Sequence, residues 1–276
     1  MPHQGDMKIT RLFTAFLSCL TLALPASAQQ GVGTPLQGDL LTGWQQANGQ
    51  RVAAIRLRMA PGWKTYWRSP GDAGIPPEFD WSGSKNLRDV AITWPAPKVF
   101  DQGGVNSIGY AREVILPLTL TPRSPGQPVA LDVSIDLGVC SDICLPETVH
   151  LNALLDSTSN KPVPAIAAAF AARPYSGAEV GLKSATCSLR PTADGLSIVT
   201  RLRLPSAGGE ETVVIEPGAP GLWMSATESS RQGDTLVSHG ELIAENGGAV
   251  ALDRSAIRIT VIGKKHSVEI KGCTPA

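Results

Sequence analysis

Two cysteines separated by three residues, Cys140 and Cys144, are the most chemically suggestive feature of this 276-residue sequence. A disulfide between them closes a very small ring, which restricts the unfolded chain little and is therefore a weak source of stability. Strained or exposed disulfides are more often the labile, catalytic or regulatory ones. The spacing thus favours a pair that opens and closes by thiol–disulfide exchange.

Two further cysteines, Cys187 and Cys273, suit a structural bridge. Joining them would close a loop of about 86 residues, worth roughly 4 to 5 kcal/mol in the chain-entropy model. The fifth cysteine, Cys19, lies in an N-terminal segment that is predicted to be a cleaved signal peptide, and the even number that remains in an exported chain is typical of two disulfides. Three pairings are possible for these four residues, and the spacing favours Cys140–Cys144 together with Cys187–Cys273.

The charges around the closely spaced pair bear on its redox direction, because the pKa of a thiol follows its neighbours. Three acidic residues flank the pair: Asp136, Asp142 and Glu147. No Lys or Arg occurs from 124 to 160, although folding could bring Lys98 or Arg112 close. Strong oxidants stabilise their reduced thiolate form. The local sequence therefore favours a pair that gives electrons away, which is the direction of a protein-disulfide reductase.

A metal centre is a poor match to the same cysteines. Structural zinc requires four ligands at compatible spacing. The sequence offers Cys-x3-Cys with no second pair nearby and His150 as the one close histidine. No glycine motif that would cradle a phosphate is present, and no base is linked locally to either sulfur. The sequence therefore predicts neither a metal nor a cofactor.

The N-terminus is typical of a secretory signal peptide. Lys8 and Arg11 precede an apolar stretch from Leu12 to Leu24, and Ala26-Ser27-Ala28 resembles a cleavage site. The apolar stretch is shorter than the roughly 18 residues of a membrane-spanning helix. Residues 1–28 are therefore predicted to be a signal peptide, and the mature protein is expected to be exported.

Charge argues against nucleic acid as a partner. The sequence has 24 basic and 24 acidic residues, so its formal net charge is zero, and no run of Lys and Arg appears. The basic surface expected of a nucleic-acid-binding protein is therefore missing.

Short apolar-alternating segments between glycines and prolines predict an all-β fold built of sandwiches. Five strands are predicted in the first half: Val52 to Met59, Asn86 to Trp94, Glu113 to Thr121, Val129 to Leu137 and Thr148 to Leu155. Six are predicted in the second: Gly181 to Leu189, Leu196 to Leu204, Glu211 to Glu216, Thr235 to Ile243, Ala256 to Ile262 and His266 to Ile270. The cysteine pair would lie between two of these strands.

One segment predicts a helix, the alanine-rich stretch Val163 to Ala172, which prolines open and close. It follows a polar stretch, which suggests a domain boundary. The expected organisation is a first β-sandwich at 29–158, a short helical linker at 159–176 and a second β-sandwich at 177–276. The aromatic segment from Ala60 to Ser84 is predicted to be a long loop that covers the first sheet.

Three segments resemble the N-terminal periplasmic (alpha) domain of the thiol:disulfide interchange protein DsbD, and more closely the corresponding region of the ScsB type, named for suppression of copper sensitivity. They are PGWKTYWRSPGDAGIPP (61–77), IGYAREVILPL (108–118) and GVCSDICLPE (138–147). The second half, from TCSLRPTADGL (186–196) to EIKGC (269–273), is similar to the second sandwich of the ScsB-type region.

The resemblance implies two immunoglobulin-like sandwiches, the first of them redox-active. Cys140 and Cys144 match the redox pair, and Cys144 would form the mixed disulfide. The segment from 100 to 107 matches a loop that caps the pair, and the residues implied to modulate the site are Phe100, Asp101, Gly103, Val105 and Asp142. Two departures are visible, because the best-known relative has five residues between its cysteines and because Gly103 stands where an aromatic residue is expected.

The resemblance also implies partners. Thioredoxin-fold periplasmic proteins, such as disulfide isomerases and thioredoxins serving cytochrome c maturation, would receive the electrons. Relatives continue into a membrane domain that this sequence lacks, so a separate membrane electron donor of the DsbD/ScsB transmembrane type is expected. Two alternatives stay open: a non-enzymatic immunoglobulin-like scaffold whose pair pins a turn, and a copper-binding tolerance factor that uses the cysteines with Met59 or Met224.

Overall fold

The computed structural model describes Met1 and residues 34–276, apart from positions 72, 103–104, 157, 194, 220 and 245–251. Within this described part the chain contains 20 β-strands and one short α-helix, which confirms the predicted all-β class. Residues 34–276 form one compact unit. The predicted signal peptide, residues 1–28, lies outside the described residues apart from Met1. In the described part, no helix has the length and apolar character needed to cross a membrane.

Ten strands precede the helix and make up the N-terminal part of the fold. They are β1 (Leu36–Gln45), β2 (Arg51–Met59), β3 (Lys64–Tyr66), β4 (Glu78–Asp80), β5 (Leu87–Ile92), β6 (Lys98–Gln102), β7 (Val105–Ala111), β8 (Glu113–Pro122), β9 (Val129–Cys140) and β10 (Cys144–Leu155). One sheet has the order β1-β2-β8-β5. The other has the order β10-β9-β3-β7-β6, and β4 also pairs with β9.

Alternation of apolar and polar residues places the core between these sheets. Along β9, Leu131, Val133 and Ile135 are buried, whereas Asp132 and Asp136 face outward. Side chains of successive strand residues point to opposite faces, so one face of β9 is apolar. Each such aliphatic side chain stabilises the fold by about 1.5–3 kcal/mol when fully buried. The core therefore fixes the register of β9, the strand that ends at Cys140.

The helix α1 (Pro164–Ala171) follows β10 and begins with proline at its first turn. Proline fits there because the first helical N–H groups have no partner within the helix. Its Ile166 is fully buried against Val52 and Ala54 of β2. The predicted helix, Val163 to Ala172, is confirmed to within one residue at each end.

Ten strands follow the helix and make up the C-terminal part of the fold. They are β11 (Tyr175–Ser176), β12 (Ser184–Pro191), β13 (Gly195–Arg203), β14 (Thr212–Glu216), β15 (Leu222–Met224), β16 (Glu228–Gln232), β17 (Thr235–Ala244), β18 (Arg258–Ile262), β19 (Ser267–Lys271) and β20 (Thr274–Pro275). They form two sheets, ordered β11-β19-β18-β14 and β15-β17-β13-β12-β20, with β16 also on β17. A second apolar core lies among these strands.

Each of the eleven predicted strands corresponds to an observed strand, with two corrections near the cysteines. The segment from Ala60 to Ser84 is not one long loop, because it contains β3 and β4. The hairpin strands β9 and β10 also run further than predicted, up to the two cysteines themselves. Both corrections concern strands of the sheet that carries the cysteine pair.

An ion-pair cluster joins the N-terminal and C-terminal parts. The Arg68 guanidinium donates to both carboxylate oxygens of Glu216 at 2.9 Å and to Glu269 at 2.7 Å. Its side chain is only 14% exposed, and it lies 4.3 Å from the centre of the Trp67 ring. Arg68 follows β3 by two residues, so this cluster ties the strand beside the cysteine pair to β14 and β19.

Candidate functional site

Cys140 and Cys144 face each other at the end of the β9–β10 hairpin. Cys140 is the last residue of β9, Cys144 is the first residue of β10, and the two are register partners joined by a disulfide. The turn between them is closed by a hydrogen bond from Ser141 N–H to the Ile143 carbonyl at 2.9 Å. Twelve consecutive register pairs continue from the cysteines to Leu155 and Val129. The ladder thus holds the two sulfurs opposite each other.

The two sulfur-bearing residues differ in exposure. Cys140 is fully buried at 0% exposure, whereas Cys144 is exposed. Ile143, between them in the turn, is 61% exposed. A protein thiol that approaches from solvent can therefore reach Cys144 first, and Cys140 is placed to act from beneath it.

Tyr66 supplies a hydrogen bond to the buried sulfur. Its phenol donates to Cys140 Sγ at 2.8 Å and also lies 3.5 Å from Cys144 Sγ. Tyr66 is 2% exposed, and burial raises the pKa of its phenol. Burial disfavours a charged phenolate, so the group stays a neutral O–H donor. Such a donor stabilises negative charge on Cys140 Sγ when the disulfide opens.

Gly138 on β9 has no side chain, and this leaves room for the Tyr66 ring. A Cβ built on Gly138 would lie 3.1 Å from Cε2 of Tyr66 and 3.1 Å from Cβ of Ile75. Gly138 is two residues before Cys140 and therefore on the same face of the sheet. The phenol can reach Cys140 because its ring packs against glycine, where a Cβ would crowd it.

Lys64 is a buried cation next to the pair. It is the register partner of Cys140 on β3 and is 7% exposed. Its Nζ donates to Ser107 Oγ at 3.0 Å and lies 5.1 Å from the centre of the Phe100 ring. Burial lowers the pKa of its ammonium group, because removal from water disfavours the charge. Lys64 thus links the strand beside Cys140 to β6 and β7.

The segment expected to cap the pair forms a hairpin of β6 and β7. Phe100 is half-buried on β6, Asp101 is exposed beside it, and Val105 begins β7 with 45% exposure. Asp142 is exposed in the turn between the cysteines. Gly103 lies outside the described residues. The structure brings Phe100 to the Lys64 ammonium, while Cys144 keeps its exposure.

Lys98 and Arg112 are the two basic residues that folding could have brought close to the pair. Neither of them is the register partner of Cys140 on the neighbouring strand. Lys98 is exposed on β6 opposite Gly109. Arg112 is exposed between β7 and β8 with a positive φ of 68°, and its carbonyl accepts from the Met59 N–H. The position opposite Cys140 belongs to Lys64 instead.

The other two cysteines are joined as the spacing favoured. Cys187 on β12 is fully buried and bonded to Cys273, which follows β19. Their separation of 86 residues spans most of the C-terminal part. Among the described residues, no group of three or more His, Cys, Asp or Glu side chains is arranged to hold a metal ion.

Sequence reasoning missed Tyr66 and Lys64 as site residues. Both lie in the motif PGWKTYWRSPGDAGIPP, which was interpreted as a loop that covers the sheet. A signal was available there, since a lysine and a tyrosine alternate on Lys64-Thr65-Tyr66 within an aromatic run. Their contacts with the pair and the cap hairpin span 43 to 78 residues of sequence, so the fold was needed to find them.

Comparison with known proteins agrees with the resemblance carried by the sequence motifs. Residues 37–156 match the family described as the N-terminal region of thiol:disulfide interchange protein DsbD. The crystal structure of the N-terminal periplasmic domain of ScsB from Proteus mirabilis is similar in fold, with a TM-score of 0.66 and 24% sequence identity. The match covers 92% of this chain and 97% of that one. Curated proteins give no match.

Proposed function

We propose that the protein is a periplasmic thiol–disulfide exchange protein acting through Cys140 and Cys144, and the match of residues 37–156 to the family of DsbD N-terminal domains supports this proposal. The observation that carries the proposal is the asymmetry of the pair. Cys144 is exposed, whereas Cys140 is buried with the Tyr66 phenol on its sulfur. One sulfur is thus placed to meet a partner and the other to complete the exchange.

In the reduced protein, the Cys144 thiolate attacks one sulfur of a partner disulfide. A bond forms between Cys144 Sγ and that sulfur, and the partner's own S–S bond breaks to release a thiolate. Cys140 then attacks Cys144 Sγ, which restores the Cys140–Cys144 disulfide and frees the partner as a dithiol. Two electrons have passed to the partner. The reverse steps, with an electron donor attacking Cys144, leave Cys140 as the departing thiolate beside the Tyr66 O–H.

The direction proposed is that of a protein-disulfide reductase. Exposed acidic side chains of the hairpin, Asp136 and Asp142, disfavour a thiolate, and a reductant has the less stable reduced form. Lys64 on the strand beside Cys140 and the Tyr66 phenol act in the opposite sense, so the family match at 37–156 is the stronger support for this direction. An equilibrium redox titration of the Cys140–Cys144 pair tests this. A low potential is expected, and a value near that of a strong oxidant, about −120 mV, would contradict the direction.

The partners proposed are periplasmic thioredoxin-fold proteins of the disulfide isomerase or cytochrome c maturation type. The electron donor proposed is a membrane protein of the DsbD/ScsB transmembrane type. The family of residues 37–156 supports both, and the similar fold of a periplasmic ScsB domain supports the location. In this proposal residues 29–158 carry the exchange chemistry, and residues 177–276 form a second, immunoglobulin-like sandwich.

Trapping of the mixed disulfide tests the roles of the two cysteines. Cys140→Ala leaves the exposed sulfur without its resolving partner, so a covalent complex with a thioredoxin-fold protein should accumulate on non-reducing gels. Cys144→Ala is the matched control and should form no complex and transfer no electrons. Electron transfer by Cys144→Ala would show that the assignment of the attacking sulfur is wrong.

Reduction under mild conditions distinguishes this proposal from the two alternatives, a non-enzymatic scaffold and a copper-binding factor. A low concentration of dithiothreitol should open Cys140–Cys144 quickly and leave the buried Cys187–Cys273 bridge intact, as mass spectrometry after alkylation would show. Resistance of both bridges would favour a scaffold role. Copper retained through purification would favour a copper-binding factor.

A further inference from the structure

We propose that the C-terminal part of the chain supplies Trp223 to the surface on which the thioredoxin-fold partner docks. This inference rests on the proposed exchange function and adds to it, because it assigns a role in recognition to residues outside the family match at 37–156. We call this surface the docking face and define it by Ile143, Ile75, Pro76 and Trp223.

Three large apolar side chains of the docking face are unusually exposed. Ile143 is 61% exposed, Ile75 is 46% exposed and Trp223 is 47% exposed. Single exposed apolar residues are common, but neighbouring ones mark contact surfaces. Tryptophan is also among the residues that contribute most to binding energy at protein interfaces.

Contacts place Ile75 beside the disulfide. A Cβ on Gly138 would lie 3.1 Å from Cβ of Ile75, so Ile75 covers Gly138. Gly138 and Cys140 are two residues apart on one face of β9, which is about 7 Å. Ile143 directly precedes Cys144 in sequence. An apolar residue therefore lies near each member of the cysteine pair.

The surface continues from Ile75 into the C-terminal part. Gly74 and Pro76, the neighbours of Ile75, line a cleft of about 400 Å³. The opposite wall is formed by β14, β15 and the residues after β15, and Trp223 is one of its lining residues. Trp223 thus lines the same cleft as Gly74 and Pro76, the residues on either side of Ile75, although Trp223 and Cys144 are about 80 residues apart in sequence.

The two walls of this cleft are held together. Arg68 lines the cleft on one side and Glu216 on the other, and the two make paired hydrogen bonds at 2.9 Å. The Glu269 carboxylate adds a third contact to Arg68. A surface fixed before binding loses less freedom when a partner docks. The ion pair therefore holds β14, which forms part of one wall of the cleft, against the segment that carries Arg68.

A protein partner, rather than a small thiol, fits this surface. A small thiol needs access only to Cys144 Sγ. A stable protein interface covers about 800 Å² on each partner, equivalent to a disc roughly 16 Å in radius. A thioredoxin-fold protein whose cysteine reaches Cys144 must therefore cover the surrounding apolar residues. The docking face adds apolar side chains there, and the cleft's charged groups Arg68 and Glu216 are paired with each other, whereas Asp142 is exposed beside Ile143.

The test compares exchange with a protein and with a small dithiol, in the full chain. Trp223→Ala should slow exchange with a bacterial periplasmic disulfide isomerase of the thioredoxin fold at least tenfold in second-order rate constant. Its rate with dithiothreitol should stay that of the wild type. Tyr175→Ala is the matched control, because Tyr175 is 48% exposed on the C-terminal part and packs on His266 instead. It should leave both rates unchanged.

A second arm does not depend on how Trp223→Ala folds. Ile75→Ala should slow the protein reaction alone, and Leu154→Ala, at a residue 57% exposed on β10, is its control. Wild-type rates with the isomerase for both Trp223→Ala and Ile75→Ala would overturn the docking face while leaving the exchange function intact. Equal losses with isomerase and dithiothreitol would also overturn it. Failure of the wild-type protein to exchange with any thioredoxin-fold protein would instead refute the proposed function.

Discussion

The phenol of Tyr66 donates a hydrogen bond to Cys140 Sγ across 2.8 Å, although the two residues are 74 positions apart in sequence. The contact places a neutral donor on the buried sulfur of the pair, and the same hydroxyl lies 3.5 Å from Cys144 Sγ. It joins β3 to the end of β9 by a side chain as well as by the backbone ladder. The chemistry of the pair therefore depends on a residue from a three-residue strand.

Tyr66→Phe is expected to make the pair more reducing. Loss of one hydrogen bond to the Cys140 thiolate removes about 1 kcal/mol of stabilisation from the reduced form. For a two-electron couple this lowers the potential by about 20 mV, and it slows attack on Cys144 about fivefold. Redox titration and stopped-flow exchange with dithiothreitol measure the two effects.

Tyr110→Phe is the control for that change. Tyr110 is equally buried in the same sheet, but its phenol donates to the Pro95 carbonyl at 2.8 Å. The variant should lose stability and keep the wild-type potential. A shift in potential as large as that of Tyr66→Phe would argue against a specific role for the Tyr66 hydroxyl.

Removal of the second disulfide should affect stability and leave the exchange chemistry intact. The double variant Cys187→Ser with Cys273→Ser is expected to lose about 2–5 kcal/mol of unfolding free energy, because the bridge closes an 86-residue separation. Urea denaturation measures the loss. The rate at which dithiothreitol opens Cys140–Cys144 should not change, and a large drop in that rate would mean that the two bridges are coupled.

Breaking the ion-pair cluster between the two parts should destabilise the protein. Arg68→Gln leaves the Glu216 and Glu269 carboxylates, each about one-fifth exposed, without their main cation. An unpaired, largely buried charge costs about 3 kcal/mol. Arg173→Gln breaks an exposed ion pair with Glu179 and should cost less than about 1 kcal/mol. Equal denaturation midpoints for the two variants would contradict this difference.

Acid should weaken the C-terminal part through Glu211. Burial of this carboxyl opposes its ionisation, but hydrogen bonds from Arg231 and the Ala207 N–H lower its pKa below the ordinary value of 4.5. The unfolded chain therefore binds the proton first as pH falls. The stabilisation is complete above about pH 4.5 and is lost below it.

Glu211→Gln is expected to be less stable than the wild type at pH 7, by about 3 kcal/mol, and to lose less further stability between pH 5 and 3. Thermal or urea unfolding across this pH range measures the profile. Glu210→Gln changes the exposed neighbouring residue and should follow the wild-type curve. A wild-type pH profile for Glu211→Gln would show that another group controls the acid response.

The sequence alone predicted the parts of the fold that follow from a local alternation of apolar and polar residues or from residue spacing. Alternation along 129–137 predicted β9, and the cysteine spacing favoured both disulfides that the structure contains. The predicted strand ends at Leu137, directly before Gly138. In the structure that glycine continues the strand and makes space for the Tyr66 ring.

The sequence was not sufficient for the surroundings of the pair. The strand β3, which lies between Gly62 and Pro70, has only three residues, and these are too few to show a period of two. Its Lys64 is also a buried charged residue, which strand patterns do not predict. The partners of Lys64 and Tyr66 lie 43 to 78 residues away. Such pairings follow from strand order, which local patterning does not specify.

The β9–β10 ladder has a consequence for how redox state is communicated. Twelve register pairs hold the two cysteines opposite each other through backbone hydrogen bonds, independently of the sulfur–sulfur bond. Opening the disulfide therefore requires no rearrangement of the hairpin. We therefore expect the hairpin backbone to be the same in the oxidised and reduced molecules, so that the two redox states differ at the two sulfur atoms and not in the shape of the hairpin. A partner protein must therefore contact Cys144 directly before the redox state of the pair can affect it.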